Sequence, residues 1–399
     1  MSLPKTYKAA VIEEANAPFK IKDIEYKSPE SGKVVIKVVA SGDSLVVEQQ
    51  MPTGLPRVPG HEIVGRVVEV PQDEKRWKVG DLVGSGWHGG HCGVCSRCVR
   101  GDFNTCENEA RNGILSDGGH AEYATLRTEA LCSIPEDIEP AKAAPLLCAG
   151  LTVFNSLRNM SLHPGDVVAV QGVGGLGHLA IQFARKMGYV VAAVSRGDSK
   201  KQLALELGAH HYIDSEDGDP AEALLKLGGA KVIAAVAPNG AAMASLIPGL
   251  AVDGQLIVLA PVEKLEVPTV LMIGKRLSVR GWPSGHAGDS EDTIKFAQTM
   301  GVDCKVETYP LERIQDAYDS MMNNKAQVEQ DVVVNVDEPT DATRAAEEAV
   351  EEVKVEASDT TPGGDFTFSD TSKNLTPTIA RSRSNGKKFK CVQRSSHHV

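Results

Sequence analysis

Cys92, Cys95, Cys98 and Cys106 place four of the chain's eight cysteines in one short loop, with two, two and seven residues between them. That spacing lets four thiolates reach one tetrahedral centre. A zinc held by four sulfurs has no position left for water, so such a site is structural and not catalytic. Its task would be to pin a glycine-rich lobe that lacks an apolar core of its own. Cysteines at two-residue gaps also occur around iron–sulfur clusters, and unligated thiols are the plain alternative. Nothing else in the chain suggests electron transfer through a cluster. Cys132, Cys148, Cys304 and Cys391 stand alone in the sequence.

A second constellation is Gln171-Gly172-Val173-Gly174-Gly175-Leu176-Gly177, set between an apolar run and a helical pattern. That context separates a phosphate-binding turn from a chance run of glycines. Gly172 permits the tight turn, Gly174 lets the backbone approach a pyrophosphate, and Gly177 allows the helix to pack close to the strand. The helix start at Gly175 and Leu176 offers free N–H groups and a positive dipole end to the phosphates. The next strand ends in Val194-Ser195-Arg196-Gly197-Asp198-Ser199-Lys200. NAD binders usually carry an acid there for the ribose 2′-hydroxyl. Ser195 takes that place, while Arg196 and Lys200 could pair with a 2′-phosphate, so the pattern favours NADP(H) over NAD(H). Asp198 could serve the hydroxyl instead, and both cations could be ordinary solvated charges.

Two kinds of scaffold are needed to carry these residues. Runs of valine and isoleucine at 34–40 and 63–70, broken by Gly and Pro, read as short strands of a β-rich first half. From Pro140 the pattern turns helical through 160. Strand signals at 167–170, 190–194, 232–236 and 255–259 then alternate with helical stretches at 178–187, 200–207 and 241–247. Alternation of this kind predicts an α/β fold, a doubly wound parallel sheet with helices on both faces. Helices near 289–299 and 311–322 and a strand at 331–336 follow. Residues 337–399 start acidic and alanine-rich, pass through Pro-Gly-Gly and Ser/Thr-rich stretches, and end basic. With few large apolar side chains, this tail is expected to stay disordered apart from a brief helix at 345–354.

The chain has 399 residues, enough for two cores, with 42% hydrophobic residues and a net charge of −11. An acidic surface argues against nucleic acid or anionic membrane as partner. No apolar run is long enough to cross a bilayer, and the first residues lack a signal pattern. The expected compartment is the cytosol, where clustered thiols are more often metal ligands than disulfide partners.

These pieces together resemble the zinc-containing medium-chain alcohol dehydrogenases over residues 1 to about 336. The resemblance is carried by Val58-Pro59-Gly60-His61-Glu62, Val79-Gly80-Asp81, Gly86-Trp87-His88-Gly89-Gly90-His91-Cys92 and Ala144-Pro145-Leu146-Leu147-Cys148-Ala149-Gly150-Leu151-Thr152. It implies a GroES-like catalytic domain at 1–150, completed by 282–336, and a Rossmann domain at 151–281. It also implies that His61 and Cys148 ligate a catalytic zinc, that Glu62 is a ligand or a carboxylate able to move onto the metal, and that Thr152 lies against the nicotinamide. A zinc with three protein ligands keeps one position for substrate oxygen, as exchange of hydride between an alcohol or aldehyde and the cofactor requires. Trp87 and Trp282 could wall an apolar pocket, although packing is the simpler role for each. A homodimer or homotetramer is likewise implied.

One departure stands out. The family carries a segment like Gly-Val-Cys-His-Ser/Thr-Asp after its strand at 34–40, which supplies the first zinc-binding cysteine and a proton-relay pair. Here the text is Ala40-Ser41-Gly42-Asp43-Ser44-Leu45-Val46-Val47. Either Ser44 replaces the cysteine, or about four residues are missing between Gly42 and Asp43. One deletion explains every mismatch and restores the usual distance to His61. It would reflect a misplaced exon boundary or a true loss in a degenerate paralogue. Asp43 could substitute as an oxygen ligand if its loop reaches the metal. The expectation is a weakened catalytic zinc and reduced activity. A zinc-independent NADPH-dependent reductase of activated double bonds and a non-catalytic NADP(H)-binding paralogue are the competing readings.

Overall fold

Strand-forming valines and isoleucines gather in two sheets, each with its own core. The computed structural model describes residues 3–42, 54–322 and 331–332. Both alignments of the departing motif beyond Gly42, and the 337–399 tail, lie outside the described residues.

In the first half, β1 (Thr6–Val11) and β2 (Lys20–Glu25) form an antiparallel pair. They lie beside a larger sheet of β3 (Lys33–Gly42), β4 (Glu62–Glu69), β5 (Leu82–Ser85), β8 (Tyr123–Arg127) and β9 (Cys132–Ser133). A small ribbon, β6 (His88–Gly90) with β7 (Ala110–Arg111), frames the cysteine loop. Val34, Ile36, Val38, Ile63, Val67 and Leu126 point inward from this sheet and form one apolar core. Val34, Ile36 and Val38 repeat with a strand's period of two, while Ala40, Val64 and Leu82 join the second core, so the sheet is covered on both faces.

The second half is a six-stranded parallel sheet of β10 (Val167–Gln171), β11 (Val190–Ser195), β12 (His211–Asp214), β13 (Ala230–Ala235), β14 (Leu250–Val258) and β15 (Ser278–Gly281), in the order 12-11-10-13-14-15. The order reverses between β10 and β13, the switch point at which a doubly wound sheet opens a crevice for ligand. β16 (Thr308–Tyr309) and β17 (Asp331–Val332) return to the first half, where β17 pairs with β3 at Ser41 and Gly42. The molecule is therefore a GroES-like β-rich domain joined to a Rossmann domain.

Three helices tie the halves together: α1 (Ala149–Arg158), α2 (Gly175–Lys186) and α3 (Ala287–Met300). Phe154, Phe183 and Phe296, one from each, meet with ring centroids 5.0 to 5.8 Å apart. Arg158 at the end of α1 pairs with Asp289 and Asp292 of α3. The helical pattern expected across 140–160 is broken in the structure. Pro140–Ala143 is one short helix, Ala144–Leu147 a 3-10 turn, and Cys148 departs from helical geometry with φ −132° and ψ −71°. Pro145 lacks the N–H that a continuous helix would need there, and the break leaves Cys148 capping α1. Among the described residues no helix is long and apolar enough to cross a membrane.

Candidate active site

The cysteine loop closes on itself. The Sγ atoms of Cys92, Cys95, Cys98 and Cys106 all lie within 4.8 Å of one another. Cys106 Sγ is 3.7 Å from Cys92 Sγ and 3.9 Å from Cys95 Sγ. A tetrahedron with Zn–S bonds of about 2.3 Å has sulfurs about 3.8 Å apart, so these four fit zinc without rearrangement. Backbone N–H groups of Cys92, Cys95, Cys98 and Asn108 donate to the sulfurs at 3.3 to 3.5 Å, which favours thiolates. The N–H groups of Val94 and Cys95 bring the Cys92 thiol down to about 6, and those of Cys98 and Glu107 lower Cys95. Burial and the hydrogen bonds with Cys95 and Cys106 push Cys98 up to about 12. Val94 and Val99 are 81% and 74% exposed. The lobe has little apolar core of its own.

A second cluster is assembled from distant parts of the chain. His61 immediately precedes β4 and Glu62 begins it, while Cys148 caps α1. His61 Nε2 lies 3.0 Å from Cys148 Sγ, and Glu62 Oε1 accepts from the N–H of Ala149 at 3.3 Å. One ligand atom from each of His61, Glu62 and Cys148 falls within 4.8 Å of the others, and all three residues are buried. The N-terminus of α1 favours the carboxylate through its unpaired N–H groups and dipole. Nitrogen, oxygen and sulfur donors in one buried pocket are the chemistry of a three-ligand zinc site, and these residues fit it. Thr152 stands one turn along α1, its N–H bonded to the Cys148 carbonyl at 2.7 Å. Cys132 and Cys304 lie apart in the apolar cores.

Trp87, named from the sequence as a possible pocket wall, packs at right angles to His61, ring centroids 5.3 Å apart, with the Arg111 guanidinium over its ring at 5.6 Å. Sequence reasoning missed two further neighbours. Ser41 Oγ and His120 Nδ1 share a buried hydrogen bond of 3.1 Å. Burial, and then the nearby His61, push His120 down to about 3, so it is neutral beside the cluster. The words around His61 signalled its importance, but neither Ser41 nor His120 has a local pattern. Trp282, by contrast, donates from Nε1 to the Ser284 carbonyl and packs against the core around α1 and α2.

The glycine turn has the geometry a dinucleotide needs. Gly172 has φ +101° and faces Ala237, where a side chain would clash. A Cβ on Gly177 would lie 2.1 Å from the Gly172 carbonyl, whereas one on Gly174 would meet only open space. Gly174 caps α2 without a side-chain hydrogen bond, which leaves the N–H groups of Gly175, Leu176 and Gly177 without intrahelical acceptors. Ser195 ends β11 opposite Asp214 of β12. Arg196 is exposed and makes no hydrogen bond or ion pair among the described residues. Lys200 lies just before the helix Lys201–Glu206.

Comparison with known proteins agrees with this construction. Residues 30–136 match the family described as alcohol dehydrogenase GroES-like domain, and residues 175–300 match zinc-binding dehydrogenase. The chain is 48% identical over 323 residues to alcohol dehydrogenase patD of Penicillium expansum, covering 80% of this chain and 95% of that protein. It is 46% identical to alcohol dehydrogenase notN of an Aspergillus species, covering 82% and 97% respectively. Among solved structures, the alcohol dehydrogenase of the archaeon Aeropyrum pernix superposes with a TM-score of 0.74 at 28% identity, covering 82% of this chain and 99% of that one.

Proposed function

The chain belongs to the zinc-containing medium-chain alcohol dehydrogenases, an oxidoreductase family, and from that premise we propose that it interconverts an alcohol and its aldehyde with NADP(H) at a zinc held by His61, Glu62 and Cys148. The observation that carries this reading is the convergence of those three buried donors within 4.8 Å, one helical turn from Thr152. When bound, zinc supplies Lewis acidity toward the substrate oxygen and the nicotinamide supplies or accepts hydride.

The protein's own residues set the terms. His61 presents a neutral nitrogen, and Trp87 packed edge-on holds its ring. Glu62 and Cys148 would bring two negative charges. Because the family site carries that glutamate as well, loss of the first cysteine leaves the donor set one negative charge short. A carboxylate is a harder ligand than a thiolate, so this set holds zinc less tightly than two sulfurs would. Thr152 would support the nicotinamide ring. Cys92, Cys95, Cys98 and Cys106 would hold a second, structural zinc.

For the cofactor, the open space at Gly174 and the free start of α2 would take the pyrophosphate. Ser195 in place of an acid, with Arg196 unengaged and Lys200 close by in sequence, supports NADP(H) over NAD(H). In this reading residues 1–150 with 282–336 form the catalytic domain and 151–281 the nucleotide domain, and the enzyme acts as a homodimer or homotetramer on a small primary alcohol or its aldehyde.

A zinc-independent reductase of activated double bonds, or a non-catalytic cofactor-binding paralogue, would have no use for three buried metal-type donors. The test is NADPH oxidation by the full chain with a panel of aldehydes and enones, before and after removal of the more labile zinc. Aldehyde turnover should vanish with that zinc and return when zinc is restored, and Arg196→Ala should raise KM for NADPH about tenfold with NADH unaffected. Turnover of enones indifferent to the chelator would overturn the reading.

A further inference from the structure

His61 and Glu62 sit at the end of a turn that has little freedom of its own. Gly60 has φ +92°, and a Cβ there would lie 2.7 Å from both His120 Nδ1 and Ser41 Oγ. The turn thus rests directly on the Ser41–His120 pair. Backbone bonds hold its other side: Gly118 N–H to Val58 O at 2.7 Å, Gly119 N–H to Gly60 O at 2.8 Å, and His120 N–H to Pro59 O at 3.0 Å. Ser41 is the register partner of Ile63, the residue after Glu62. A Cβ on Gly119 would also meet Ser41 Oγ, at 2.6 Å. Ser41 and His120 are 0% and 2% exposed, so their hydrogen bond has no water to replace it and its loss leaves buried polar atoms unsatisfied.

We propose that His120, through its buried hydrogen bond to Ser41, is a positioning residue that fixes the Pro59-Gly60 turn and so aims His61 and Glu62 at the metal. The proposal rests on the reading of His61, Glu62 and Cys148 as zinc ligands. Residues that orient a metal's ligands commonly affect affinity 10- to 100-fold. The four-cysteine site, built in another loop, owes nothing to this turn and serves as a control within the same chain.

The experiment measures release of zinc from the full chain to a chromophoric chelator, with His120→Leu, His120→Asn and Ser41→Ala beside the unmodified protein. The Asn amide reaches the position of Nδ1, whereas Leu fills the space without a polar atom. Two zincs should leave the unmodified chain at different rates. His120→Leu should release the faster one at least tenfold sooner with the slower one unchanged, and His120→Asn should restore much of the retention. Ser41→Ala, which removes only a hydroxyl, should fall between them and decides the matter if the Leu chain does not fold. Retention in Ser41→Ala and His120→Leu equal to the unmodified chain, or Leu and Asn behaving alike, would overturn the positioning role. A parallel fall in both zincs and the melting temperature would do so as well. An unmodified chain that carries one zinc in total would instead defeat the underlying reading of the site.

Discussion

The four-cysteine lobe and the His61–Glu62–Cys148 cluster are two sets of metal-type donors assembled in different ways. The lobe draws four thiols from one loop between β6 and β7, satisfies them with its own backbone N–H groups, and leaves no ligand position open. The cluster draws three different donors from β4 and the start of α1, with His61 and Cys148 separated by 87 residues. Cys148 caps α1, which packs against α2 and α3 through Phe154, Phe183 and Phe296. A local site answers for the stability of its own loop. A distributed site depends on distant parts of the fold.

The largest expected effect lies in the lobe. Cys106→Ser leaves three thiolates where closure needs four, and structural zinc contributes on the order of 10 kcal/mol to small folded units. The lobe should lose its zinc and become open to proteolysis within 92–111, while the Rossmann half keeps its nucleotide affinity. Limited proteolysis with cofactor titration checks both. Equal damage to both halves would show that the lobe is not a separate unit.

Glu62→Gln probes the other side of the contrast. The amide keeps the shape and removes a negative charge, so the more labile zinc should bind on the order of 100-fold more weakly and kcat/KM should fall in step. The lobe's zinc should not change. An active variant with undiminished zinc would remove Glu62 from the ligand set.

A third expectation concerns the frame shared by the distributed site. His178 on α2 donates from Nδ1 to the Gly175 carbonyl, and its Nε2 accepts from the N–H of Lys305. The bond from Lys305 requires an unprotonated Nε2 and so the neutral ring, and burial brings its pKa down to about 4. Its unfolded value is near 6.5, so its stabilising contribution is complete above about pH 6.5 and is lost as pH falls through about 4. The urea midpoint should therefore drop between pH 7 and pH 4.5, and His178→Gln should flatten that slope. An unchanged slope in the variant would place the acid sensitivity elsewhere.

The same contrast explains what could be read from the chain alone. The cysteine loop and glycine turn announce themselves because their residues are close in sequence and each spacing has few physical meanings. The central strands β10, β11, β13 and β14 were legible as apolar runs. The edge strands β12 and β15 were not, since His211–Asp214 and Ser278–Gly281 carry few buried side chains. The break at Cys148 was foreshadowed by Pro145 but masked by the alanines and leucines around it. Trp87 against His61, and Ser41 against His120, are contacts across the fold, and no spacing reveals them. The expectation of a damaged site came from the mismatch after Gly42, which lies outside the described residues. The structure brings a Glu62 oxygen within 4.8 Å of ligand atoms of His61 and Cys148.

Diffraction from crystals of the full chain, with data collected on either side of the zinc absorption edge, tests the central claim most directly. Two anomalous peaks are expected, one among Cys92, Cys95, Cys98 and Cys106 and one among His61, Glu62 and Cys148. A single peak in the cysteine lobe, from protein grown with excess zinc, would contradict the account.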